Sequence, residues 1–119
     1  MRNDKDNVIL NKTFEFALIV VNFCELLEEK KKFVIARQLL KSGTSIGANV
    51  REAQNCESKA DFIHKLKIAA KETDETAYWL DICKHSQNYP YDPSMEIQLN
   101  EISHILSKII ATSKKSLEK

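Results

Sequence analysis

From Met95 to Ile109 the apolar residues Met95, Leu99, Ile102, Leu106 and Ile109 follow one another at steps of four, three, four and three. Residues so spaced share one face of a 3.6-residue turn, so this is the repeat of a helix laid lengthwise against other helices. The same period governs the rest of the chain. Phe16, Ala17, Val20, Phe23, Cys24 and Leu27 form one stripe, and Leu39, Gly43, Ile46, Val50 and Ala53 a second. Phe62, Leu66, Ala70, Thr73, Ala77 and Leu80 form a third. Only two glycines and two prolines occur in 119 residues, which excludes a turn-rich sandwich or barrel.

Local chemistry sets the boundaries. Helices are expected over about 11–31, 33–55, 58–85 and 92–115, after an irregular or disordered stretch at 1–10. Ser58 with Asp61 three residues on resembles a capping box in which Asp replaces Glu. Asp92-Pro93 supplies a cap and a first-turn proline. Four such helices with short connections predict an all-α, up-down-up-down antiparallel four-helix bundle, one domain over residues 1–119. Ser42-Gly43-Thr44-Ser45-Ile46-Gly47 interrupts the second helix with poor helix formers. A phosphate cradle there would need a preceding strand and a GxxxxGK[ST] pattern, and the stretch has neither. It is expected to be helix, straight or kinked, with glycines one turn apart that let another helix approach closely.

Eighteen Lys+Arg against seventeen Asp+Glu leave a formal charge of +1, which by itself points to no class of partner. Two local clusters stand out, Lys30, Lys31 and Lys32 between the first two helices and Lys108, Lys114 and Lys115 in the last. They read as solvated helix ends that offset the helix dipole, or as contacts to the phosphates of RNA or DNA. Cys24, Cys56 and Cys83 lack CxxC spacing, so neither a disulfide framework nor a zinc site follows. They suit a reducing compartment. The N-terminus has no apolar segment of the signal-peptide kind, and the longest apolar run, Phe16 to Val21, is too short to span a bilayer. The expected setting is cytoplasmic, with no membrane contact.

Two residue pairs test for a di-metal bundle enzyme. Asp61 with His64 and Glu101 with His104 each have the i, i+3 spacing that lets two ligands meet one ion. In an antiparallel hairpin of the third and fourth helices, however, the pairs fall roughly 20 Å apart and cannot share a centre. No Ser or Cys sits in a nucleophile-elbow motif. The chain is therefore expected to be no enzyme, with no metal, no cofactor and no small-molecule substrate.

The third helix carries a second stripe, Asp61, Lys65, Ile68, Glu72, Glu75, Trp79 and Ile82. Two stripes need two partners, and Ile68, Trp79 and Ile82 exposed on a lone bundle would be costly, so a homo-oligomer interface is expected there. Phe14, Leu18 and Val21 likewise lie beyond the core face of the first helix. Arg37, among apolar neighbours, is expected to pair with Glu72 or Glu75, in the same chain or a neighbouring one. A turn near residues 56 and 57 would put Arg37 level with residue 76.

Several of these residues also carry a resemblance. Ala36-Arg37-Gln38-Leu39, Ser45-Ile46-Gly47-Ala48-Asn49-Val50 with Glu52-Ala53, Asp61-Phe62, and Ala69 to Leu80 with Lys71-Glu72, Glu75-Thr76 and Trp79-Leu80 are similar to proteins encoded in intervening sequences of bacterial 23S ribosomal RNA genes. The match spans about Phe14 to Cys83. The resemblance implies a homopentameric barrel, in a family whose members show no established enzymatic activity. Arg37, Asn49 and Glu52 are expected to be structural polar residues. The resemblance also implies a relation to the accessory protein of diversity-generating retroelements, and with it nucleic-acid binding. The expected function is a non-enzymatic homo-oligomeric bundle that binds RNA, DNA or a nucleoprotein, or else a protein-binding scaffold.

Overall fold

A computed structural model describes residues 7–118. Four helices follow in order: α1 (Val8–Glu29), α2 (Phe33–Ala53), α3 (Lys59–His85) and α4 (Pro93–Glu118). α1 packs on α2 and α4, and α3 on α2 and α4. Each neighbouring pair runs antiparallel. Gly47 meets Thr13 while Gly43 meets Val20, Glu52 meets Lys65 while Ser42 meets Thr76, and Lys59 meets Ser116 while Lys84 meets Glu96. The result is an up-down-up-down bundle measuring 52 × 24 × 21 Å.

α1 starts earlier than expected. Asn7 caps it, its side-chain oxygen accepting from the Leu10 N–H at 3.1 Å while its amide donates to Gln54 at 3.0 Å. Residues 8–10, expected to be irregular, are helical, and Ile9 and Leu10 are buried. Residues 1–6 of that stretch lie outside the described residues. Ser58 Oγ accepts from the Asp61 N–H, and Asp92 Oδ1 from the Ser94 N–H, so both connections around α3 end in side-chain caps.

The α1–α2 turn closes without glycine. The Lys32 N–H donates to the Leu27 carbonyl and the Lys31 N–H to the Glu28 carbonyl, while Lys31 takes φ 63°. This crossed pair of bonds normally places glycine at the left-handed position, and here a lysine holds it. α2 is continuous through residues 42–47. Its glycines face α1, where a Cβ at Gly43 would lie 2.8 Å from both methyl carbons of Val20.

The stripes of α1, α2 and α4 bury largely as expected, with Ile109 half-buried at the last position of the α4 seam. α3 is rotated. Ile63, Ala69, Thr76 and Cys83 are buried beside Leu66, Thr73 and Leu80, whereas Phe62, Ala70 and Ala77 are only half-buried. The cause is a polar contact, since Thr76 Oγ1 lies 2.9 Å from Ser42 Oγ of α2. Two short hydroxyl side chains let α2 and α3 draw together and turn α3 toward α2. The same contact fixes the register. Ser42, rather than Arg37, stands opposite Thr76, and Arg37 lies more than a turn beyond.

Candidate functional site

Exposed apolar side chains stand on α1 and α2. Phe14, Leu18 and Val21 are 50%, 51% and 36% exposed, and Leu40 is 40% exposed. Between the helices runs a groove of about 440 Å³ lined by Leu10, Phe14, Ala17, Gly47, Ala48 and Arg51, among others. Gly47 makes the groove floor low, because a Cβ there would press on the Thr13 carbonyl at 3.2 Å. The Arg51 guanidinium lies over the Phe14 ring at 5.6 Å from its centroid, placing a cation at the groove's edge.

The second stripe of α3 is less exposed than its spacing implies. Ile68, Glu72, Trp79 and Ile82 are half-buried, Glu75 is exposed, and Trp79 packs against the core. Its ring meets Tyr78 edge to face at 5.2 Å. The Trp79 Nε1 donor is buried with no hydrogen-bond partner among the described residues. Burial and the neighbouring Glu75 charge push the Glu72 carboxyl above the ordinary carboxylate value, with Lys41 pulling the other way. So Lys41, and not Arg37, is the cation that Glu72 feels. Arg37 is exposed and has no ion pair among the described residues. The expected pair within one chain is not formed, because the register carries Arg37 past both glutamates. Asn49 donates to the Ser45 carbonyl at 2.9 Å, and Glu52 pairs with Lys65 at 3.3 Å.

The two lysine clusters lie at opposite ends of the bundle. Lys30, Lys31 and Lys32 share one end with the α3–α4 connection, where Lys32 sits 4.8 Å from the Tyr89 ring centroid. Lys114 and Lys115 lie at the other end, where Lys59 donates to Ser116 at 2.8 Å. Lys108 borders a shallow depression with Thr112 and Ser113. No single patch unites the six. Lys114 instead holds the ammonium of Lys67 on α3, a residue that sequence reasoning passed over, below its ordinary value, with slight desolvation and Lys71 adding to the effect.

Asp61, His64 and His104 are exposed, and Glu101 is engaged by Lys12 at 3.0 Å. Among the described residues no group of three or more His, Cys, Asp and Glu is placed to hold a metal ion. The three cysteines are free. Burial, then the nearby Cys83, pushes the Cys24 thiol up to about 12, and burial pushes Cys83 up to about 11. No described helix is long and apolar enough to cross a membrane.

A bundle of this shape has a solved counterpart. The crystal structure of a protein of unknown function from the S23 ribosomal protein family of Bacteroides thetaiotaomicron is 44% identical to this chain and superposes with a TM-score of 0.81. The match covers 86% of this chain and 97% of that one. No curated protein sequence matches. The family described as 23S rRNA-intervening sequence protein matches residues 5–111, which take in the glycine-faced α1–α2 groove, the whole of α3 and most of α4. On that match, the chain belongs to the 23S rRNA-intervening sequence protein family.

Proposed function

We propose that this chain is a non-enzymatic, cytoplasmic bundle that works as a closed ring of identical copies, five in number as the family resemblance implies. The observation that carries this reading is the exposed apolar face of Phe14, Leu18, Val21 and Leu40. A contiguous apolar face of this kind marks an interaction surface, because leaving it in water forgoes the free energy of burial. A second copy fits it by charge. The α1–α2 side carries Arg37, which has no ion pair among the described residues, and the groove-edge Arg51, whereas the second α3 stripe carries half-buried Glu72 and exposed Glu75 beside Ile68, Trp79 and Ile82. These are two different surfaces of one molecule. A contact between unlike surfaces repeats head to tail and closes into a ring when the rotation allows. Arg37 would then meet Glu72 or Glu75 across the subunit boundary, in place of the pair missing within one chain.

Sedimentation of the full chain at micromolar concentration tests this. A multimer is expected, Leu18→Asp should dissociate it, and Arg37→Glu should weaken it until Glu75→Arg restores the opposite charges. A monomeric wild-type protein overturns the proposal. Contact with RNA or DNA is a second reading, favoured by the Lys30–Lys32 turn with the Tyr89 ring beneath Lys32. Filter binding of ribosomal RNA at low salt, lost on combined Lys30→Ala and Lys32→Ala substitution, would support it. No retention leaves the protein-binding scaffold.

A further inference from the structure

α4 outruns the helix it packs against. Lys12 of α1 pairs with Glu101 of α4 at 3.0 Å. The two helices run antiparallel, so Val8, where α1 begins, stands about level with Ile105, and α4 continues to Glu118, roughly 20 Å further. α2 stops near the same level, where the Asn7 amide donates to Gln54 at 3.0 Å. α3 goes on beside α4, and Lys59 donates to Ser116 at 2.8 Å. Among the described residues, the last turns of α4 thus have one helix beside them where the turns before have two. The side of α4 that faces α1 continues past this point. Gln98, Glu101 and Ile102 line a crevice against Lys12, Glu15 and Ile19. Two turns beyond Glu101 and Ile102 on the same face come Lys108 and Ile109, and three turns beyond come Thr112 and Ser113. These four line a depression of about 230 Å³. It lies where a longer α1 would pack.

We propose that this depression seats an acidic amphipathic helix of another protein, lying along α4 in line with α1. α1 itself shows that this side of α4 accepts a helix. Ile109, half-buried and packed against the core, supplies the apolar floor that the anchoring side chains of such a helix need. Charge selects the partner. Lys108 lines the depression, and Lys115 stands two turns further along the same line. Residues 107–118 hold three lysines against one glutamate, and none of those lysines has a carboxylate partner among the described residues. Carboxylates flanking the apolar stripe of the incoming helix would meet them and set its orientation. A second copy meeting this end with its own would bring lysine against lysine. RNA or DNA would also meet the lysines, but residues 107–118 hold no aromatic ring on which a base could stack, and phosphates would leave Ile109 uncovered. The site uses none of the residues assigned to self-assembly, so it stands whether or not the ring forms.

The test titrates the full chain into a labelled synthetic helical peptide with leucines spaced three and four apart and glutamates between them, and follows fluorescence anisotropy. A control peptide carries lysine in place of every glutamate. Saturable binding of the acidic peptide alone is expected, with amide shifts at Ile109 and Ser113 in NMR spectra. Ile109→Asp should weaken binding about tenfold or more, as should Thr112→Trp, which fills the depression from an exposed position and leaves the core untouched. Lys108→Glu with Lys115→Glu should reverse the preference between the two peptides, while Lys31→Glu at the opposite end leaves it unchanged. The Leu18→Asp variant should bind like the wild type, which separates this site from the assembly reading. Absence of saturable binding by the acidic peptide, or equal binding of both peptides, overturns the proposal. So does a short RNA oligonucleotide that shifts Ile109 and Ser113 where the acidic peptide does not, or a shift of these residues that follows the concentration of the protein alone, which would give the face to a second copy. Nuclear Overhauser contacts from residues 1–6 to Ile109 would give it to the chain's own N-terminus and overturn the proposal equally.

Discussion

The hydroxyls of Ser42 and Thr76 meet 2.9 Å apart in the core between α2 and α3. Thr76 Oγ1 also lies 2.7 Å from the Glu72 carbonyl, so each hydroxyl, with one hydrogen and two lone pairs, has work for what it carries. Removing the Thr76 hydroxyl leaves buried Ser42 Oγ with only the Leu39 carbonyl, at a long 3.5 Å. Thr76→Val should therefore cost about 1 to 3 kcal/mol, while the double variant with Ser42→Ala should cost less than the two single changes together. Thermal unfolding of the four proteins gives the coupling, and independent effects would mean that the pair does not set the approach of the helices.

Gly43→Ala sets helix propensity against packing. Alanine gains about 1 kcal/mol in an α-helix, but its methyl would meet both γ-carbons of the stiff, fully buried Val20 at 2.8 Å. Overpacking of this kind costs about 1 to 3 kcal/mol, so a net loss of stability is expected. Val20→Ala should relieve it, making the double variant more stable than additivity predicts. A Gly43→Ala protein with a raised melting temperature would show that α1 can simply move away.

Lys31 holds a left-handed backbone at φ 63°, a conformation that costs a side-chain-bearing residue about 1 to 2 kcal/mol relative to glycine. Lys31→Gly removes that strain and adds freedom to the unfolded chain, so it should stabilise by about 0.5 to 1 kcal/mol. Urea denaturation measures this. The same variant should weaken RNA retention if the turn contacts phosphate, and a gain in stability with that loss would show a residue kept for binding at a cost to folding.

The buried thiols predict an alkaline limit. Cys24 and Cys83 stand at about 12 and about 11 against an ordinary value of 9.0, first because burial disfavours the thiolate. The unfolded chain thus gives up these protons at lower pH than the folded one. The stabilisation is complete below about pH 9 and is lost as pH rises toward the folded values. Relative to wild type, Cys24→Ala should flatten the fall in stability above about pH 9. Native protein at neutral pH should label with maleimide at the half-buried Cys56 and not at Cys24 or Cys83.

Where apolar spacing decides the outcome, the sequence was readable. The stripes through Val20, Ile46 and Leu106 give the bundle, because burial of a continuous face dominates helix packing. The phase of α3 was not readable, because Thr76 and Ser42 enter the core as hydroxyls that meet each other, and a stripe drawn through Phe62, Ala70 and Ala77 passes Thr76 by. α1 begins at Val8 because Asn7 caps it, a signal present in Asn7-Val8-Ile9-Leu10 but outweighed by the polar residues before it. The groove beside Gly47 was not readable either, because only the register of α1 against α2 brings Phe14, Ala17, Ala48 and Arg51 together.

Both hairpin turns beside Lys32 and Tyr89 emerge at one end of a rod 52 Å long, and the α2–α3 connection emerges at the other with the end of α4. Copies placed side by side around a rotation axis therefore all point the same way. Such an assembly has an up and a down: one rim displays the Lys30–Lys32 turns with their tyrosines, and the ends of α4 with Lys114 and Lys115 lie at the other. A long polymer threaded along the axis would meet two chemically different mouths, so entry from one side is not equivalent to entry from the other.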